Sequence, residues 1–170
     1  MLWSLLKSYT LRTTTRIYEG SVVFKLDISK AYDRIDWDYL KGVMVRMGFN
    51  AQWIQWMTMC VETVDYSFLV NNEVVGPIIL GRGLRQDDPL SPYLFIICVE
   101  GLSSLIRHVE TRGDLCGTWV CRGAPPVTHF LFADDCFLFF KATEIQAQAM
   151  QTTLATYEVA SDQAINLSKC

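Results

Sequence analysis

Histidine is scarce in this chain. The two present, His108 and His129, form no zinc-ligand spacing with the six cysteines Cys60, Cys98, Cys116, Cys121, Cys136 and Cys170. Zinc-finger and zinc-hydrolase readings are thereby excluded. A basic excess is lacking too: 15 Lys+Arg stand against 18 Asp+Glu, a net charge of −3. A free-standing nucleic-acid binder normally carries a basic face, so that class is disfavoured, and any phosphate-gripping surface is expected to lie largely elsewhere. A site built of carboxylates is fully compatible with the balance. No long apolar run occurs. The longest, Tyr93–Val99, is far shorter than the ~20 residues a bilayer requires, and Met1–Tyr18 has no continuous apolar core with a cleavage site. These absences lead to the expectation of a soluble, intracellular protein in a reducing compartment, nuclear or cytoplasmic, with no membrane partner. They leave the oligomeric state open.

Core-building material, by contrast, is plentiful. Of 170 residues 51% are hydrophobic and 12% aromatic, enough for one domain or a large piece of one. Leu2, Trp3, Leu5, Leu6 and Tyr9 recur at helical spacing, predicting an amphipathic helix over 1–18. A strand is predicted over Ser21–Ile28, then helices from about Asp36 to Met47 and from Asn50 to Val61. Trp37, Leu40, Val43, Met44 and Met47 are expected to face inward on the first, and Trp53, Ile54, Met57 and Val61 on the second. Tyr66–Val70 and Val74–Leu80 flank Asn71-Asn72 as a hairpin, with Pro77 weakening its second arm. A turn-rich loop over Gly81–Pro92 leads into a long helix ending near Thr111. The segment from Gly113 to Pro126 has room for one short strand. A helix over Ala142–Ala160, with Ile145, Met150, Leu154 and Tyr157 inward, and a last strand at Ile165–Leu167 complete the pattern. Strands and helices interleave without regular alternation, which predicts an α+β fold: an antiparallel sheet with helices packed on one face.

Chemistry concentrates at His129–Phe140, HFLFADDCFLFF, where Asp134 and Asp135 sit between two aromatic-rich strands. A tight hairpin there would fix two carboxylates at a rigid turn. Asp27, near the end of the first predicted strand, is either a helix N-cap or a partner for that pair; the spacing leaves both open. Two-metal phosphoryl transfer requires carboxylates from separate elements converging on cations roughly 3.5–4 Å apart, and magnesium accepts such sparse carboxylate ligation.

Four blocks in order carry a resemblance. Phe24–Trp37 (FKLDISKAYDRIDW), Gly83–Phe95 (GLRQDDPLSPYLF), Phe132–Asp135 (FADD) and Tyr157–Cys170 (YEVASDQAINLSKC) resemble the palm motifs of reverse transcriptases, in particular those of plant non-LTR (LINE-type) retrotransposons. The wording of the first two blocks sets them apart from group II intron enzymes. The resemblance implies a palm domain with a ferredoxin-like core over 1–170, its motifs spanning 22–170, with fingers and thumb largely missing. It implies an RNA-directed DNA polymerase joining dNTPs to a DNA primer on an RNA template with two Mg²⁺ ions, Mn²⁺ being a substitute. Asp27, Asp134 and Asp135 would be catalytic, with Asp27 and Asp134 the main metal ligands and Asp135 a weaker or partial one, and Lys169 would protonate the leaving pyrophosphate. Tyr32 would lie beneath the incoming sugar and exclude a 2′-hydroxyl, while Arg85 and Gln86 would contact nucleotide and template.

Two positions depart from the family pattern. Asp87 stands where the second motif usually has glycine (RQGDPLSP), and Asp162 stands where the fourth does (SGQ). An aspartate at the first adds bulk and negative charge beside a triphosphate; at the second it strains a turn. Together with the missing fingers and thumb these aspartates lead to the expectation of weak or absent activity for the isolated chain, and the acidic charge balance to that of weak nucleic-acid binding. The alternative is a degenerate retroelement relic or a domesticated, non-catalytic nucleic-acid-binding module.

Overall fold

Alternation dictates how β1 (Ser21–Ser29) sits: Phe24, Leu26 and Ile28 are buried, whereas Val23 and Lys25 are exposed and Asp27 is half-buried. The computed structural model describes residues 20–119, 121–132 and 135–166. The expected helix over 1–18 lies outside them. After β1 come α1 (Trp37–Arg46), capped by the Asp36 carboxylate, which accepts from the Tyr39 N–H at 2.7 Å, and α2 (Ala51–Glu62), capped likewise by Asn50. Both caps supply an acceptor to an otherwise orphaned helix N–H. β2 (Asp65–Val70) and β3 (Glu73–Ile79) form the expected hairpin, turned by Asn71 and Asn72 at φ 51° and 68°. Pro77 lies where the register shifts, a bulge that spares it a ladder hydrogen bond.

The core is organised on α3 (Ser91–Thr111), which buries Leu94, Phe95, Cys98, Val99, Leu102 and Ile106 in one stripe. By length and composition alone this helix could cross a bilayer; its stripe instead packs into the protein core. β4 (Thr118–Trp119) and β5 (Pro126–Val127) pair with one another, giving the connection two short strands where one was expected. β6 (His129–Phe132), β7 (Asp135–Lys141), α4 (Glu144–Ser161) and β8 (Ala164–Ile165) follow.

The main sheet has the order β6-β7-β1-β8, every pairing antiparallel. Taking α3 and α4 as the two crossover helices, this is the βαββαβ arrangement of a ferredoxin-like core. The α+β expectation is met. Phe24, Leu26 and Ile28 of β1 meet Cys136, Leu138 and Phe140 of β7 on the covered face, where all are buried. Among the described residues no helix covers the opposite face, where Val23 and Lys25 are exposed and Asp27 and Asp135 half-buried.

Two burial expectations need correction. Met47 is 48% exposed, because α1 ends at Arg46 and Met47 is already its cap. Ile145 is 76% exposed. Gln146 turns inward in its place, its Oε1 accepting from the N–H groups of Cys116 at 3.2 Å and Lys141 at 3.0 Å. Satisfying two backbone donors fixes the rotation of α4 and sends the preceding isoleucine outward.

Candidate functional site

The site begins on the open face. Asp27 is the direct register partner of Asp135 across β1 and β7, and directly opposed residues project to the same side of a sheet with Cβ atoms ~5 Å apart. Asp27 lies within a strand, and the next helix is capped by Asp36, which removes the N-cap reading. Like charges in opposed positions repel. Here Lys25, two residues before Asp27 and on the same face, lies diagonally across from Asp135, with its Nζ 2.7 Å from Asp135 Oδ1. That ammonium also lies 5.8 Å from the centre of the Phe137 ring. Phe130 and Phe132 of β6 flank this row, both exposed. Asp134 and Lys169 lie outside the described residues.

The first block is the hub of the other blocks. Gly83 N–H donates to Ile35 O and Leu84 N–H to Tyr32 O, both at 2.8 Å, and Trp37 Nε1–H returns a bond to Gly83 O at 2.8 Å. The second block is thus stitched to the loop after β1. From the fourth block, Gln163 Nε2 donates to Ala31 O at 2.9 Å, and Asn166 N–H donates to Asp27 O at 2.9 Å. Tyr157, fully buried, bonds through its hydroxyl to Gln163 Oε1, and burial pushes that phenol well above its ordinary pKa. Asp27 is therefore held by strand pairing on one side and by the fourth block on the other.

Tyr32 stacks on Phe95 at a centroid distance of 4.7 Å and 13° between planes, so α3 supplies its platform. Gln86 Nε2 donates to Asp33 Oδ1 at 3.4 Å, bridging first and second blocks. Arg85 lies with its guanidinium carbon 5.9 Å from the centre of the Tyr66 ring. With Trp37, Tyr66, Asp88 and Leu94 it lines a cavity of about 350 Å³, which has neither Asp27 nor Asp135 in its wall. Among the described residues, no cluster of three or more His, Cys, Asp or Glu forms a metal cage.

His129 anchors the start of β6 to α3. Its Nε2 lies 2.8 Å from Ser103 Oγ and its Nδ1 3.0 Å from Thr128 Oγ1, while Arg107 ties Ser103 to Glu100. Burial, aided by Arg107 and opposed by Glu110 and Glu100, holds the imidazole below its ordinary pKa. The strand leading into the Asp pair is thereby braced by a neutral histidine.

Both departing aspartates occupy left-handed backbone: Asp87 has φ 66° and Asp162, the C-cap of α4, φ 56° and ψ 12°. Aspartate tolerates this conformation better than most residues, but glycine adopts it without a Cβ penalty. The Asp162 carboxylate is compensated by an ion pair with Arg82, both side chains about half exposed, a contact worth under about 1 kcal/mol. Asp87→Gly should therefore stabilise the fold by about 1 kcal/mol, and Asp162→Gly by about half that because it also loses Arg82. Urea unfolding of the two variants checks the order, and equal or negative shifts refute it.

Lys25 escaped the reading of the sequence, although the signal was there: residues two apart on a strand share a face. Gly83 was visible only as a turn residue.

Fold and site together define an α+β domain with a ferredoxin-like core that presents opposed carboxylates on its open sheet face. The chain belongs to the reverse transcriptase (RNA-dependent DNA polymerase) family, whose model matches residues 5–170. It is 50% identical over 68 residues to an uncharacterized mitochondrial protein of Arabidopsis thaliana, a match covering 40% of this chain and 56% of that one. The "Transposon TX1 uncharacterized 149 kDa protein" of Xenopus laevis is 28% identical over 85% of this chain and 11% of its own length. A retrovirus-related Pol polyprotein from type-1 retrotransposable element R2 of Popillia japonica is 24% identical over 87% of this chain and 23% of its own. The chain thus spans well under two thirds of each of these relatives.

Proposed function

We propose that this chain is the palm of a non-LTR retrotransposon reverse transcriptase, built for dNTP addition to a DNA primer on an RNA template and weakly active or inactive by itself. The observation that carries the reading is the direct opposition of Asp27 and Asp135 on the open face of a sheet whose family is established. Carboxylate oxygens on facing strands suit a hard cation. Asp27 and Asp135, with Asp134 between β6 and β7 in the chain, are the residues that would hold magnesium, which when bound neutralises phosphate charge and acidifies the attacking hydroxyl. Tyr32, backed by Phe95, would present a rigid ring to the sugar and exclude a 2′-hydroxyl. Gln86 and Arg85 would orient nucleotide and template, and Lys169 would act as general acid toward the leaving pyrophosphate. The 50% identity to a plant protein favours a plant-type element.

The positive φ at Asp87 and Asp162 favours a second, compatible reading, that of a decayed copy. Primer extension separates the claims. The purified 170-residue chain with Mg²⁺ is expected to incorporate little or no dNTP. A chimera carrying a relative's flanking segments is expected to gain activity on Asp87→Gly plus Asp162→Gly and to lose it on Asp27→Ala. Template-dependent incorporation by the short chain, abolished by Asp27→Ala, would overturn the claim of inactivity. A chimera indifferent to Asp27 would overturn the polymerase reading itself.

A further inference from the structure

Two carboxylates placed face to face on adjacent strands pose a problem for the metal-free protein. In β1 and β7 Lys25 supplies a counter-charge to Asp135. Its ammonium contacts Asp135 at 2.7 Å, while its side chain is 55% and that of Asp135 47% exposed. An ion pair this open to water is weak, worth at most about a fivefold shift in an equilibrium. Such a pair places a positive charge beside two opposed carboxylates and is of a strength that a divalent cation, with twice the charge, can outcompete. The stem of Lys25 runs beside Phe137, with Nζ 5.8 Å from the ring centre, so the charge is held near the pair whether or not it touches Asp135.

We propose that Lys25 is a built-in counter-ion of the carboxylate pair, a positioning residue that holds Asp135 when no divalent cation is bound and is displaced when one binds. The inference rests on reading Asp27 and Asp135 as a cation site. Lys25 then sets the threshold of that site: metal must outcompete a tethered ammonium for Asp135, and its release frees a positive charge beside the open face. The positive charge that stabilises the empty pair is thus the one that opposes its filling.

The test is Mn²⁺ binding to the 170-residue protein, read by calorimetry and by the electron paramagnetic resonance of free ion, alongside thermal melting without metal. Lys25→Met keeps the unbranched stem beside Phe137 and removes only the charge. It is expected to lower the Kd for Mn²⁺ about threefold to fivefold and to lower the metal-free Tm. Lys25→Arg, which keeps the charge, is expected to bind Mn²⁺ within about twofold of the parent chain. Asp27→Asn is expected to lose the binding. Unchanged or weaker Mn²⁺ affinity in Lys25→Met, with Asp27→Asn still abolishing it, overturns the counter-ion role and leaves the cation site standing. Absence of Mn²⁺ binding at millimolar concentration in parent and Lys25→Met alike overturns both.

Discussion

Replacing Gly83 by alanine is expected to cost about 2–4 kcal/mol and to loosen the second block from the first. The residue has φ 93°, a backbone conformation that side chains with a Cβ rarely adopt. A Cβ built there would lie 2.8 Å from the Asp33 carbonyl oxygen and 3.1 Å from its carbon. Backbone cannot swing aside as a side chain can. Relief requires the Tyr32–Asp33 turn or the Gly83 loop to retreat, and three hydrogen bonds at 2.8 Å oppose any retreat: those joining Gly83 to Ile35, Leu84 to Tyr32 and Trp37 to Gly83. Urea unfolding should show a lower midpoint. Tryptophan emission should shift as Trp37 loses its carbonyl acceptor, an effect that general destabilisation of the folded ensemble does not produce below the transition. A variant as stable as the parent, with unshifted emission, would show that the two loops are not held this closely. Gly81, two positions earlier, has open space where its Cβ would stand; Gly81→Ala serves as the neutral control.

The contrast between these two glycines marks where the sequence could be read and where it could not. Both belong to a stretch, GRGLRQDDPLSP, that announces a turn-rich loop, and nothing local separates the glycine pressed against another chain segment from its free neighbour. Long-range packing decides that. The helix starts were legible for the opposite reason: Asp36, Asn50 and Thr143 cap helices by bonds to residues two or three positions on, and such bonds need no tertiary partner. The strand carrying Asp27 was legible from its apolar alternation, and the pairing of β6 with β7 from the strand signals on either side of the Asp pair. Which carboxylate faced which was not. Register between Asp27 and Asp135, 108 positions apart in the chain (135 − 27), is set by the whole sheet, and a shift of one residue would have sent Asp27 to the covered face. Ile145 failed for a related reason, since the rotation of α4 is fixed by the hydrogen bonds of Gln146 rather than by hydrophobicity alone. The hairpin β2–β3 shows a further limit. Its apolar residues Phe68, Leu69, Val74, Val75 and Ile79 are all more than half exposed, although nothing in their composition separates them from core strands. Periodicity reports what a segment could bury and is silent about whether anything arrives to cover it.

Phe95→Ala is expected to be more damaging still, costing about 3–5 kcal/mol, a large part of the stability typical of a single domain. Phe95 is fully buried at the first turns of α3, amid the core that includes Leu26, Leu94 and Leu102. Removing its ring sacrifices transfer free energy and leaves a cavity that a rigid sheet and helix can close only in part. It also withdraws the platform from Tyr32, whose ring lies 4.7 Å away and nearly parallel. That second loss can be isolated. Phe95→Leu keeps most of the volume and removes the stacking, and a double-mutant cycle with Tyr32→Leu should return a coupling of about 0.5–1.5 kcal/mol. A coupling near zero would make the stacked geometry incidental and Tyr32 an independently placed ring. A measurable coupling ties the loop after Asp27 to α3. It would then explain why the second block runs directly into that helix: a single element supports the ring proposed to select the sugar and supplies the largest share of the core beneath the carboxylates.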